Sequence, residues 1–331
     1  MTEHRYDIVG IGNAIVDIIA RCDDAFLTEH QAPKGHMRLV DADTISNLYN
    51  AIGPAVEISG GSAANTIAGI ASLGGTAAYI GKIAEDEFGR IFAHDIKASG
   101  VDYRTQPATE GAPTARSIVL VTPDGERTMN TFLGISPELG PQDLDHDMIA
   151  DGKILYLEGY LFDADAAKDS FRKAAQIAKG AGRLVSLTLS DGFCVDRHRS
   201  AFLEFIRSDV DILFANESEI ISLYETNNFD IAAERISQDV KLAALTRSEK
   251  GSVIISQDET IAVPAYPIEH LIDTTGAGDL YAAGFLFGYA RDLDLGICGR
   301  LGSMAAGEII SHIGARPETT LMNMAQSKGL L

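Results

Sequence analysis

The sequence predicts an α/β fold: a large domain with a mainly parallel sheet flanked by helices, plus a small β-sheet lid. Short aliphatic or β-branched runs at 6–11, 76–80, 154–157, 184–187 and 212–214 alternate with longer helical segments at 62–73, 88–98, 164–178, 201–207 and 217–224. Such alternation is the pattern of βαβ units with helices on both sheet faces. Two stretches, 18–40 and 114–132, are strand-like without helices and break the alternation. The second holds Pro123-Asp124-Gly125, a turn signal between two β-branched runs. These two stretches are the expected lid, and 1–17, 41–113 and 133–331 the α/β body. Near the C-terminus, 280–290 is small, apolar and free of Pro, which predicts a buried helix.

The 331 residues, 46% hydrophobic and 22% charged, are of ordinary globular composition. Formal net charge is −20 with no basic stripe to offset it, which argues against nucleic acid or anionic membrane as a partner. The same charge repels phosphorylated ligands at long range, so any anion site must rely on backbone amides, a few local cations and a metal. Cys22, Cys194 and Cys298 are scattered, without metal-binding spacing, as in a reduced intracellular protein. No stretch approaches the ~18 apolar residues of a membrane span, and residues 1–7 lack the apolar core of a signal peptide. The expectation is a cytoplasmic protein; monomer and homodimer are both open.

Along the chain, Gly10-Ile11-Gly12 mimics a dinucleotide fingerprint, but Ile15 stands where its third glycine is required. Asn13 and Asp17 lie just past the first expected strand, where open α/β sheets bind ligands, and could clamp vicinal hydroxyls. Gly60-Gly61 opens a second turn before a small-residue helix, with Asn65 one turn in; paired glycines let amides approach a ligand. Asn216-Glu217-Ser218-Glu219 follows the strand at 212–214, and Thr246 begins a loop ending at Gly251. Taken alone, Asp17 and Asn13 read better as a turn cap and a loop contact, and the other runs also have the common alternative of a tight or capped turn. No P-loop occurs: the nearest pattern, Gly75 to Gly81-Lys82, has the wrong spacing and Ile83 after the lysine.

The most informative run is Asp273-Thr274-Thr275-Gly276-Ala277-Gly278-Asp279. At a helix start its unpaired amides, aided by the helix dipole, can cradle an anion at Gly276, Ala277 and Gly278. A carboxylate beside such a cradle opposes anion binding unless Asp279 accepts a proton there. The bland alternative is an ordinary glycine turn with a first-turn acid.

The complete run, followed by Gly284-Phe285, resembles the C-terminal signature of the ribokinase-like (PfkB) family of sugar and nucleoside kinases. Gly60-Gly61 with Asn65, and Gly81 with Asp86, Phe88 and Gly89, resemble its N-terminal signature. The resemblance implies phosphoryl transfer from ATP, with Mg²⁺, to an alcohol. It makes Asp279 the catalytic base, Gly276, Ala277 and Gly278 the anion hole, and Asn13, Asp17, Gly60, Gly61 and Asn65 the acceptor contacts. Asn216 with Glu219 resembles the family's Asn-x-x-Glu motif, whose carboxylate organises Mg²⁺ indirectly. Thr246 to Gly251 resembles the nucleotide loop, with Ser248 in place of its first glycine; Thr246, Ser248 and Gly251 are then ATP-side residues. Arg247 and Lys250 either add positive charge there or form an exposed pair on a turn. Asp273 and Thr275 are implied for a monovalent cation such as K⁺.

For the acceptor, the 43 positions from Asp17 to Gly60 resemble the extended lid of the adenosine-kinase branch. Ser62 stands where ribokinases carry Lys, and Tyr160 matches a purine-stacking aromatic of that branch; read without the resemblance, Tyr160 is equally a core residue. Adenosine converted to AMP is the favoured expectation. A fructokinase- or ribokinase-like sugar kinase is the second, and a non-catalytic nucleoside sensor the third, against which an intact Asp279 argues.

Overall fold

The structure is a computed structural model that describes residues 4–331. Its strands are β1 (Tyr6–Ile11), β2 (Ile15–Arg21), β3 (Met37–Leu39), β4 (Ala55–Gly60), β5 (Ala77–Ile80), β6 (Asp102–Tyr103), β7 (Ala115–Val121), β8 (Arg127–Phe132), β9 (Gly152–Glu158), β10 (Leu184–Thr188), β11 (Ile212–Asn216), β12 (Leu242–Thr246), β13 (Ser252–Ser256) and β14 (Thr260–Val263). Nine form one sheet in the order β14-β13-β12-β11-β10-β9-β1-β5-β6. From β12 to β6 every pairing is parallel, whereas β13 and β14 add an antiparallel edge.

Both faces of this sheet are buried, which is why its strands read as continuous apolar runs. Side chains alternate between two cores: Ile154, Tyr156, Ile212, Phe214, Leu242 and Ala244 point to one, Leu155, Leu157, Leu213, Ala215, Ala243 and Leu245 to the other. Helices Ser62–Ser72, Ala277–Tyr289 and Leu295–Ile309 cover the first face, and Asp165–Gly180, Gly192–Asp209, Glu217–Leu223 and Phe229–Asp239 the second. The segment expected as a helix at 201–207 is the end of a longer one, capped by the Asp191 side chain on the Cys194 amide at 2.6 Å.

The second sheet has five strands in the order β3-β8-β7-β2-β4. It contains the expected hairpin, β7 and β8 joined through Pro123-Asp124-Gly125, with Gly125 at φ +87°. It also reaches beyond 18–40 and 114–132, taking in Ile15 to Asp17 of β2 and all of β4. The 18–40 stretch was expected to be helix-free; it holds the short helix Asp24–Glu29, because Asp23 caps the Phe26 amide at 2.8 Å. Strand period two gives the lid two faces. Val16, Ile18, Ala20, Ile118 and Leu120 are buried against the body, whereas Asp17, Ile19, Ser117, Val119 and Met129 line a cleft. Among the described residues no helix is long and apolar enough to cross a membrane.

Candidate active site

The cleft, about 650 Å³, lies between the lid and the carboxyl ends of β1, β9, β10, β11 and β12. Strand order reverses at β1, which sits between β9 and β5, and such switch points are where open α/β sheets bind ligands. The volume suits a drug-sized small molecule. Asn13, Asp17, Gly61, Asn65, Tyr160, Asn216, Glu219, Thr246, Thr275, Gly276, Ala277, Gly278 and Asp279 all line it. Sequence positions more than 200 apart thus share one cavity.

The helix Ala277–Tyr289 begins where expected, with Gly276 as N-cap in the left-handed region at φ +78°. Its first amides are not equivalent. Ala277 N–H donates to the Thr274 carbonyl at 3.2 Å, whereas the amides of Gly276, Gly278 and Asp279 find no acceptor among the described residues. The preceding turn thus consumes the Ala277 donor. A Cβ on Gly278 would meet nothing within 4 Å, so this end of the helix is open to a ligand.

Asp279 is held by two donors from the facing helix: Ser62 Oγ reaches Oδ1 at 2.6 Å and Asn65 Nδ2 reaches Oδ2 at 2.9 Å. One edge is open to the cleft, yet the group lies deep. Burial raises its pKa above the ordinary carboxylate range against the opposing pull of Ser62, Asn65 and Arg316. Asp17, on β2, is pushed up to about 6 by burial, with Arg316 and Arg127 pulling it down and Asp279 adding to the rise. A Cβ on Gly60 would overlap the Asp17 carboxylate, and one on Gly61, at φ +96°, would overlap the Asn13 carbonyl. Both glycines are steric necessities.

Glu158, at the end of β9, has no counterpart in the sequence-based site. It is buried, accepts from Asn13 Nδ2 at 2.7 Å and Ala63 N at 2.8 Å, and ties the loop after β1 to the helix Ser62–Ser72. Burial pushes its pKa to about 7. An acid closing an apolar central strand was the available signal. Held in this way, Asn13 and Asn65 each leave a buried side-chain oxygen without a partner. Buried acceptors are rarely left unpaired, so two in one cleft call for a ligand that donates hydrogen bonds.

At the other end of the cleft, Asn216 and Glu219 form a complete capping box: Asn216 Oδ1 accepts from Glu219 N at 2.9 Å, and Glu219 Oε2 accepts from Asn216 N at 2.9 Å. Glu219 is buried, and burial raises its pKa to about 7, with Asp191 and Asp279 adding to the rise. Thr246 ends β12 beside it. Ser248 adopts φ +50°, the conformation a glycine would take more readily, and lies in an adjoining surface groove with Thr246 and Asn216. Gly251 does not reach either cavity; at φ +84° it makes the turn into β13, where a Cβ would overlap the Val263 carbonyl. Arg247 and Lys250 form the turn pair: Arg247 donates to Glu217 at 2.8 Å and stacks on Phe229, and Lys250 lies 3.5 Å from the same Glu217.

Asp273 and Thr275 do come together, but around a guanidinium. Arg127 of β8 pairs with the Asp273 carboxylate and donates to Thr275 Oγ1 at 2.9 Å, and the amides of Thr275 and Gly314 complete the shell. Burial works against the Asp273 charge, yet Arg127 and these amides hold its pKa below the usual value. In this conformation the residues do not fit an alkali cation, because the lid arginine already neutralises the carboxylate.

Residues 49–321 match the model of the pfkB family of carbohydrate kinases, and the chain belongs to that family. It is 55% identical to an adenosine kinase from Sinorhizobium meliloti whose solved structure covers 98% of this chain and 99% of its own, with a TM-score of 0.91. A probable sugar kinase protein from Rhizobium etli CFN 42 is 52% identical, covering 99% and 100%, with a TM-score of 0.93. The probable chloroplastic fructokinase-6 of Arabidopsis thaliana is 32% identical over 79% of this chain and 70% of that protein.

Proposed function

We propose that the protein is an ATP-dependent kinase that phosphorylates the primary hydroxyl of a nucleoside, adenosine. The unpaired oxygens of Asn13 and Asn65, flanking Asp17 and Asp279 in one cleft, carry this reading. Ribose hydroxyls supply the donors those oxygens lack, and Asp17, free of any side-chain donor among the described residues, takes the rest. The hydroxyl that reacts sits against Asp279, whose raised pKa suits a general base, a role worth about 10²–10⁴ in rate. As the proton moves to Asp279, the amides of Gly278 and Asp279 receive the charge gathering on the phosphoryl oxygens. One well-placed donor of this kind is worth ~3 kcal/mol.

ATP would enter from the side of Asn216, Thr246 and Ser248. Glu219 keeps lone pairs beyond its capping bonds and faces the cleft, which suits indirect, water-mediated contact with Mg²⁺; bound there, the ion would neutralise the phosphate charge. K⁺ is not needed to balance Asp273 while Arg127 is in place.

The lid supports a nucleoside over a sugar. Ile19, Met37, Leu39, Val119 and Met129 give its inner face an apolar part in the cleft that Tyr160 and Phe193 also line, suited to a flat base that a hexose would leave unfilled. The Sinorhizobium adenosine kinase relative agrees. The plant fructokinase relatives support the second reading, a sugar acceptor. The test is Asp279→Asn assayed with adenosine: kcat falls by about 10²–10⁴ while adenosine affinity by calorimetry is retained. Near-normal turnover removes Asp279 as the base, and a wild type inert toward adenosine removes the acceptor.

A further inference from the structure

Arg316 neither lines the cleft nor bonds to any residue of the sequence-based site, yet it ties together the two segments that carry that site's residues. It follows the Gly314-Ala315 turn near the C-terminus. Its Nε donates to the Ser59 carbonyl at 2.9 Å, Nη2 to Ser59 Oγ at 2.9 Å and Nη1 to the Ala64 carbonyl at 2.6 Å. Ser59 is the penultimate residue of β4, paired with Val16 of β2, and Ala64 directly precedes Asn65. On its far side Ser59 donates from N and Oγ to Asp95 at 2.7 and 2.6 Å. One guanidinium thus spans the last turn of the lid strand and the first turn of the acceptor helix.

We propose that Arg316 is a positioning residue of the acceptor half-site. It locks Gly60-Gly61 and Asn65 in register with Asp17 and Asp279, and its charge favours the ionised form of both carboxylates against the burial that raises their pKa. Every donor of its planar fork that is used goes to Ser59 or Ala64, so a lysine cannot reproduce the geometry. The charges facing it are Asp95, Asp17 and Asp279; Asp17 also faces Arg127, and Asp279 also lies near Glu158 and Glu219. Burial holds the Arg316 pKa below its usual value despite these anions; a guanidinium is in any case charged in proteins. This inference rests on the phosphotransfer reading, in which Asp17 and Asp279 meet the acceptor.

Arg316→Lys and Arg316→Gln separate the two roles. Both raise the acceptor KM, by about 10–100-fold for a misplaced frame, and leave the ATP KM little changed. Arg316→Lys keeps the acid limb of kcat/KM where the wild type has it, whereas Arg316→Gln moves that limb to higher pH, because a lost positive charge lets both carboxylate pKa values rise. Added guanidinium partly restores the glutamine variant. Wild-type acceptor KM and acid limb in the folded variants overturn the inference. So does a fall in melting temperature with ATP and acceptor KM rising together and no rescue. Should Arg316→Gln fail to fold, Ser59→Ala removes one of the three contacts and raises the acceptor KM by a smaller factor; no rise overturns the inference. Calorimetric binding of adenosine to wild type and Arg316→Lys reads the same frame without turnover. A wild type that consumes no ATP with any acceptor removes the phosphotransfer reading, whereas an active wild type with unaffected variants removes this one alone.

Discussion

Asp279 and Asp17 are carboxylates held in a cleft where burial makes ionisation harder, and that sets how activity follows pH. A base acts only when deprotonated, so kcat/KM falls as pH drops through its pKa. On the proposed reading Asp279 is the base and its pKa is raised by burial, with Asp17 beside it pushed up to about 6, so the acid limb is expected above the ~4 of an unperturbed carboxylate. A kcat/KM profile flat down to pH ~4 would contradict this. The two groups interact, so the limb belongs to the pair rather than to either residue. At this scale much of the site is legible from motifs. Asn13, Asp17, Asn65, Glu219, Thr246 and Asp279 are drawn into one cavity. Arg127, Arg316 and Glu158 are not legible, because each works through a partner far off in the chain: Arg127 meets Asp273 146 positions on, and Glu158 meets Asn13 145 positions back. Local spacing carries no trace of such pairs.

Turns decide how the elements present these groups, and glycines show which turns are critical. Gly61 combines φ +96° with a Cβ path blocked by the Asn13 carbonyl, whereas Gly125, in the lid hairpin at φ +87°, has nothing within 4 Å. Gly125→Ala is expected to cost only the left-handed backbone penalty, about 1 kcal/mol, with activity kept. Gly61→Ala adds displacement of Asn13, so it should lose more stability in thermal denaturation and raise the acceptor KM. Equal losses in the two variants would show that the blocked Cβ path is not what matters. The helix Ala277–Tyr289 was readable because an unbroken apolar run follows its glycines. The helix Asp24–Glu29 was not, because six residues held mainly by a cap offer no periodicity. The antiparallel edge β13–β14 also escaped reading: its short strands lack the intervening helix that marked the others.

Across the whole molecule, the alternation of strands and helices gave the parallel sheet, and the two interruptions gave the lid. The breadth of the lid was hidden, since β4 is set apart from β2 in sequence and joins it only by pairing. A net charge of −20 coexists with an anion cradle because the cradle is built from backbone amides at one helix end. The inner face of the lid sets Ile19, Met37, Leu39, Val119 and Met129 beside Asp17 and Ser117, and its Arg127 binds the Asp273 shell; under the proposed function this face selects the acceptor. The most direct test of the account is transfer of the γ-phosphate of labelled ATP, with Mg²⁺, to adenosine, 5′-deoxyadenosine, ribose and fructose supplied in parallel. Labelled AMP from adenosine, with no transfer to 5′-deoxyadenosine and little to the sugars, is the result predicted; preferential labelling of fructose or ribose, or no acceptor-dependent transfer at all, would contradict it.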